Sequence, residues 1–316
     1  MKIVFLDAYT TNPGDISWEK LYECGEVTFY DRTPIELVAA RCKDADIIIT
    51  NKVPFNESTI TSLPNLKAIC VAATGYNHID IATARSKRIQ VYNVAGYSTD
   101  SVAQQVFALI LALVNRIETY SFEAHRGIWS QSADFTYWRK PIIELAGNTF
   151  GIMGFGQTGQ AVAKIALAMN MKVIVHHKHP ERDKMKGIEF VSFDELLNKS
   201  DVLSIHIPFY PEYKGLFNLD LFRKMKSSAL LINTSRGLVI DEEALAIALK
   251  KGMIAGAGLD VMCKEPPVKD NPLFGLKNCL ISPHQAWATQ SARIRLLEGI
   301  ISNIRSFQAN IPSNIL

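Results

Sequence analysis

Short runs of β-branched and aromatic residues alternate with helical stretches along the whole of this 316-residue chain, and that alternation restricts its fold more than any other feature. Runs at 2–6, 27–30, 46–50, 67–73 and 90–94 read as strands, with helical patterns at 16–23, 35–41 and 81–88 between them. Such alternation predicts crossover units and parallel sheets. The uninterrupted triplet Ile47-Ile48-Ile49 fits a strand covered on both faces. A second series follows a long apolar helix at about 101–115, with strands expected at 149–153, 172–176, 202–206, 230–233, 255–260 and 279–282. Helices lie between them, one at 241–251 with Asp241 as N-cap and Gly252 just past its end. The stretch 126–140 is polar, aromatic and aperiodic and reads as a crossing loop, and a last helix at about 289–308 closes the chain. The length is about that of two ordinary domains. The expectation is therefore an α/β protein with two doubly wound parallel sheets.

Composition excludes several classes. Hydrophobic residues at 48% and charged residues at 21% describe a globular chain. The 34 basic against 31 acidic residues leave +3, too little and too scattered for a nucleic-acid surface. Five cysteines, odd in number and without a CxxC pair, read as reduced thiols of a cytoplasmic protein and give no metal site. No apolar run approaches the ~18 residues of a membrane span, and the start, MKIVFLD, reads as a first strand, too short for a signal peptide.

The strand at 149–153 runs into Gly154-Phe155-Gly156-Gln157-Thr158-Gly159, and an apolar helix follows at 160–169. A lone GxGxxG is weak, but here it lies between strand and helix inside a crossover unit, as dinucleotide binding requires. Gly154 permits the tight turn, Gly156 lets backbone approach a pyrophosphate, and Gly159 lets the helix pack on the strand. Free N–H groups at the helix start then hold the phosphates. About 20 residues on, a carboxylate should meet the ribose hydroxyls of NAD. The strand ends instead in His176-His177-Lys178-His179, with Glu181 the nearest acid. Either these cations meet a 2′-phosphate, which implies NADP, or they are solvated and backbone holds the ribose.

Three later strand ends carry reactive side chains. One leads to Arg236, one to Glu265 in Cys263-Lys264-Glu265-Pro266-Pro267, and one to Pro283-His284. Ligands bind beyond the carboxyl ends of such strands. An Arg fork matches a carboxylate, a His delivers protons near neutral pH, and a Glu beside the His orients it. Arg, Glu and His beside a dinucleotide turn are what reduction of a 2-keto acid needs.

With these residues in view, the chain resembles the D-isomer-specific 2-hydroxyacid dehydrogenase family over essentially its whole length. The matching segments are VAATGYNHID (71–80), NVAGYSTDSVAQQVFALILAL (93–113), GIMGFGQTG (151–159), HIPFYPEYKGLFN (206–218), INTSRGLVIDEEAL (232–245), GLDVMCKEPP (258–267) and SPHQAWAT (282–289). AATGYN, the loop SADFTYW (132–138) and PHQAWAT are closest to the glycerate dehydrogenase/hydroxypyruvate reductase branch. The resemblance implies two Rossmann/flavodoxin-like domains with a cleft between them. Residues 1–98 and 286–316 would form the substrate-binding lid, and 99–285 the NAD(P)-binding domain. It implies that Arg236 binds substrate, that His284 is the acid–base with Glu265 as partner, and that Thr74 and Gly75 hold the substrate carboxylate through backbone amides. Gln157 and Thr158 would touch the pyrophosphate, His206, Ile207, Pro208 and Thr234 would line the cofactor cleft, and Asp260 would meet the nicotinamide carboxamide. The substrate implied is a small 2-keto/2-hydroxy acid, hydroxypyruvate/D-glycerate first and glyoxylate second, and the assembly a homodimer, with the apolar helix 102–114 either a contact between copies or, equally well, a buried core helix. Three departures bear on the cofactor. His177 stands where NAD-dependent members have Asp, Gln157-Thr158 replaces Arg-Ile, and Tyr210 and Tyr213 stand where Thr is common. From His177 and Lys178 we expect NADPH to serve at least as well as NADH, with Lys178 the main phosphate contact and His177 a second. Co-repressors of the same fold are the competing reading. Formate dehydrogenase relatives carry Gln at the position of Glu265, and many phosphoglycerate dehydrogenases carry a further regulatory domain.

Overall fold

The computed structural model describes residues 1–311 and 314–316. The chain forms two compact units, Met1–Ser98 with Trp287–Leu316, and Thr99–Ala286. In the first, β1 (Lys2–Phe5), β2 (Glu26–Phe29), β3 (Ile47–Thr50), β4 (Ala68–Val71) and β5 (Gln90–Tyr92) form a parallel sheet in the order β2-β1-β3-β4-β5. Side chains alternate across it. Ile3, Phe5, Ile47, Ile49 and Cys70 share a core with Leu296, Leu297, Ile300 and Ile304 of the closing helix Gln290–Gln308. Val4, Ile48, Ile69 and Val71 share the opposite core with Val38, Ile60 and Ala84. With both faces covered, β3 has no exposed position, so its sequence shows no polar alternation. The closing helix is tied back by a fork: Arg293 Nη1 and Nη2 each lie 2.6 Å from a carboxylate oxygen of Asp15.

The second unit holds β6 (Thr149–Met153), β7 (Lys172–His176), β8 (Ile188–Phe190), β9 (Val202–Ile205), β10 (Leu230–Asn233), β11 (Gly256–Leu259) and β12 (Cys279–Ile281). All are parallel, in the order β12-β11-β10-β9-β6-β7-β8. Strand order reverses between β6 and β9, and ligands of open α/β sheets bind in the crevice at such a point. The helix Glu242–Lys250 starts as expected, with Asp241 accepting from the Ala244 N–H at 3.1 Å, and Gly252 turns the chain away at φ +66°.

Several elements escape the sequence reading, among them the short helices Ala8–Thr11 and Glu57–Thr61. β8 is a three-residue edge strand, too short to show a period. The helix Ile117–His125 has no buried residue, so no apolar stripe announces it. Of the two readings of the helix Thr99–Asn115, the structure shows the core one: Val106, Phe107 and Ile110 are buried with Phe150, Val162 and Ile232. A Cβ on Gly258 would come within 2.9 Å of Leu109 Cβ, so this helix lies directly on β11.

Candidate active site

At the end of β6 the ladder opens. Met153 C=O accepts from the His206 N–H (2.7 Å) on one side, and the Gly154 N–H donates to His176 C=O (2.9 Å) on the other. Gly154 turns at φ +93°, and a Cβ there would lie 2.6 Å from His206 O. A Cβ on Gly159 would lie 2.3 Å from Gly154 O. Packing within the chain thus demands both glycines. Gly156 differs: its Cβ would meet nothing within 4 Å. Nothing inside the protein needs it bare, whereas backbone approach by a phosphate does. Gly156 is also the N-cap of the helix Gln157–Ala168 and offers no side-chain cap, so the first N–H groups point to an open, electropositive end. Gln157 is exposed and Thr158 half-buried at that end. The Thr234 hydroxyl, after β10, is buried without a hydrogen-bond partner. A bare cradle and an orphaned hydroxyl fit a dinucleotide here.

Ile207 and Pro208 follow β9. His206 pairs through Nε2 with Ser204 Oγ at 2.8 Å, and burial pushes its imidazole down to about 4, so it is neutral at neutral pH. At the end of β7, His177 is not the loose cation of the sequence reading. Its Nδ1 accepts from the Phe155 N–H at 3.2 Å, and its Nε2 lies 2.9 Å from Asp183 Oδ2. With both ring nitrogens engaged, His177 in this arrangement has no donor to spare for a 2′-phosphate. Lys178 is exposed.

His284 and Glu265 come together. His284 Nδ1 lies 2.6 Å from Glu265 Oε2, and Glu265 Oε1 accepts from the Met262 N–H at 3.0 Å. The Nδ1 contact leaves Nε2 as the outward atom. The two line an open cavity of about 440 Å³ with Pro266, Phe274 and Ile281 on its apolar side. His284 sits at φ +50°, and Asp260 shapes the segment around it. Asp260 Oδ1 accepts from Ser282 Oγ (2.5 Å) and the Gln285 N–H (3.0 Å), and Oδ2 from the Ala286 N–H (2.9 Å). Burial raises its carboxyl pKa against the pull of those donors. Asp260 therefore has an internal function, fixing the His284 loop, that its expected contact with nicotinamide did not include.

Arg236 stands one strand over, past β10, and its Nη1 donates to Ser235 O at 2.8 Å. Three residues the sequence reading passed over build this neighbourhood. Asn233, fully buried, accepts from the Ser235 N–H (3.0 Å) and donates to Arg236 O (2.9 Å), closing the turn that carries Arg236. Gly237 packs so closely on the next loop that a Cβ would fall 2.0 Å from Met262 O. Glu242 accepts from the Cys263 N–H (2.6 Å) and from Asn271 Nδ2 (2.7 Å), clamping the loop that carries Glu265. An Asn at a strand end before Ser is an Asx-turn signal that could have been read; the other two act through tertiary contact and leave none.

Thr74 and Gly75 lie in the other unit, after β4. Thr74 Oγ1 donates to Val94 O (3.0 Å) and Thr74 O accepts from Asn93 Nδ2 (2.7 Å), which fixes the backbone there. Among the described residues, no group of three or more His, Cys, Asp or Glu could hold a metal ion. No single helix there is long and apolar enough to cross a membrane.

A parallel-sheet unit with a bare glycine turn at its switch point and a His–Glu pair at neighbouring strand ends defines a nucleotide-dependent oxidoreductase. Residues 107–286 match the family model described as D-isomer specific 2-hydroxyacid dehydrogenase, NAD binding domain. The chain is 42% identical to a hydroxypyruvate reductase of Blautia hydrogenotrophica over 100% of this chain and 99% of that one. It is 38% identical to a glycerate dehydrogenase of Methylorubrum extorquens over 100% and 98%. A solved acyclic imino acid reductase in complex with NADPH and D-Arg superposes with a TM-score of 0.88 at 34% identity, covering 100% of both chains. The chain belongs to the D-isomer specific 2-hydroxyacid dehydrogenase family, in its glycerate dehydrogenase/hydroxypyruvate reductase branch. It is an oxidoreductase acting on CH–OH groups with a nicotinamide cofactor.

Proposed function

We propose that the chain interconverts hydroxypyruvate and D-glycerate, with glyoxylate as a second substrate. The observation that carries this reading is the 2.6 Å contact between His284 Nδ1 and Glu265 Oε2, which aims Nε2 outward as a proton donor. In reduction, Nε2 of the imidazolium gives its proton to the carbonyl oxygen, and Nδ1–H stays on Glu265. Arg236 binds the carboxylate as a planar fork. The bound nicotinamide supplies the hydride. Gly154, Gly156 and Gly159 shape the pyrophosphate turn, Gln157 and Thr158 offer helix-start N–H groups, and His206, Ile207, Pro208, Thr234 and Asp260 border the cofactor. The names of the two relatives above, hydroxypyruvate reductase and glycerate dehydrogenase, support this substrate pair.

NADPH serves at least as well as NADH, with the exposed Lys178 meeting the 2′-phosphate. NADPH in the related imino acid reductase supports its use. The working form is a homodimer. Its support is a run of exposed apolar side chains after the core helix, among them Ile117, Phe122, Phe135 (89% exposed) and Trp138 (65%), which a second copy would cover. Light scattering checks it: a monomer at assay concentration refutes it.

The test is a matrix of initial rates, with hydroxypyruvate, glyoxylate and pyruvate against NADH and NADPH, on the parent and Lys178→Ala. The highest kcat/KM should fall on hydroxypyruvate, and Lys178→Ala should raise KM for NADPH alone. Preference for another keto acid overturns the substrate assignment, and an unmoved NADPH KM overturns that of Lys178.

A further inference from the structure

The carboxylate missing from the end of β7 is supplied from the following turn. We propose that Asp183, held in place by His177, accepts the hydroxyls of the adenosine ribose and thereby keeps NADH in use beside NADPH. The inference rests on the binding of a nicotinamide dinucleotide at the β6 turn and adds to it a determinant of which one.

The argument starts from protons. A backbone N–H can only donate, so the 3.2 Å contact from the Phe155 N–H requires a lone pair on His177 Nδ1. The ring hydrogen therefore sits on Nε2 and is donated to Asp183 Oδ2 at 2.9 Å. His177 is thus a neutral bracket. One end is fastened inside the Gly154-Phe155-Gly156 turn, and the other reaches a carboxylate distant in the loop. The ring is further seated by edge contact with the buried Phe155, centroids 6.4 Å apart, whose own ring meets Phe190 at 5.8 Å. Asp183 is half-buried, and its Oδ1 takes no hydrogen bond among the described residues. The strand end therefore presents an anionic acceptor with one open oxygen, fixed relative to the phosphate turn. Glu181, nearer in sequence, is exposed and faces His179 Nδ1 at 3.5 Å instead.

An open carboxylate oxygen accepts from ribose hydroxyls and repels a 2′-phosphate. Lys178 does the opposite. The two residues set opposing preferences on one loop, so the balance between cofactors should move in a known direction when either is removed.

The experiment is a fluorescence titration of the full chain with NADH and with NADPH, without substrate, for the parent, Asp183→Asn, Asp183→Ser and Glu181→Gln. Asp183→Asn keeps an acceptor for His177 Nε2–H, and thermal unfolding checks that each variant folds. The expected result is NADH binding weaker by about tenfold in both Asp183 variants, the scale of one charge-assisted hydrogen bond. NADPH binding is unchanged or tighter, and Glu181→Gln alters neither. With His177→Phe as background, the effect of Asp183→Asn on NADH should shrink, since the bracket is gone. Equal weakening of both cofactors, or none, overturns the proposal. Failure of the parent to bind either cofactor refutes the nicotinamide site itself and this assignment with it.

Discussion

His206 should make the second unit sensitive to mild acid. Burial lowers its pKa from 6.5 to about 4, so the folded chain takes up this proton only near the lower value. The unfolded chain takes it up near 6.5. Between the two, the unfolded state binds more protons, so stability falls as pH drops, by ~1.4 kcal/mol per pH unit for one such group. The stability is fully present above the unfolded value, and the loss stops once pH passes below the folded one. Over the ~1.5 units down to about pH 5 the loss is about 2 kcal/mol. Urea unfolding of the cofactor-free chain, followed by circular dichroism at about pH 7.5 and about pH 5, measures it for the parent and for His206→Gln. Gln keeps a polar group against Ser204 Oγ and cannot titrate. Titrating carboxylates act on both proteins and cancel in the difference. The variant should lose about 2 kcal/mol less than the parent on acidification. Equal losses would show that His206 takes its proton as easily folded as unfolded, and the reasoning would fail. His78 offers the same test in the first unit: burial, with Lys52 beside it, lowers its pKa to about 4, and its Nε2 is buried without a partner.

Replacing His284 by Ala should lower the rate by at least ~100-fold, the scale of a general acid, while cofactor titration stays normal; near-parent turnover would remove His284 from the chemistry. Arg236→Lys should cost roughly 2–4 kcal/mol in kcat/KM for the keto acid, because a point charge cannot replace the two-point fork; steady-state kinetics with hydroxypyruvate decides it. Gly156→Ala should fold as well as the parent, since its Cβ has open space and φ is −71°, yet bind cofactor about tenfold more weakly, as helix-start N–H groups lose close approach. Comparing its melting temperature with its affinity separates the two effects, and parent-like affinity would contradict the phosphate cradle.

The sheets were legible because their strands are covered on both faces and read as apolar runs; Ile47-Ile48-Ile49 and Leu230-Leu231-Ile232 could hardly be anything else. The glycine turn was legible because each glycine has its own local reason. The pairing of His284 with Glu265 was legible as a convergence of strand ends and through the family resemblance, not from any local period, since the 2.6 Å contact joins the ends of two different strands. What stayed hidden was long-range or unpatterned. The helix Ile117–His125 buries nothing and so has no stripe to read. His177 in a run of His and Lys reads as a surface cation, because its two partners lie elsewhere in the chain, and Asp183 sits in a turn where no periodicity marks it.

Gly237 carries a consequence for how such a site can change over time. Its backbone presses on Met262 and Cys263 with no room for a side chain, while Cys263 Sγ reaches back to the carbonyls of Gly237 (3.5 Å) and Ile240 (3.3 Å). The turn bearing Arg236 and the loop bearing Glu265 therefore interlock. A graft that imports one of them from a relative must import the other, or the imported piece will meet a partner shaped for a different neighbour. Divergence in the two should be correlated, each tolerated substitution conditional on its counterpart. The β6 turn has its close neighbours elsewhere, at His206 and His177, so its exchange is conditional on those segments and not on this pair.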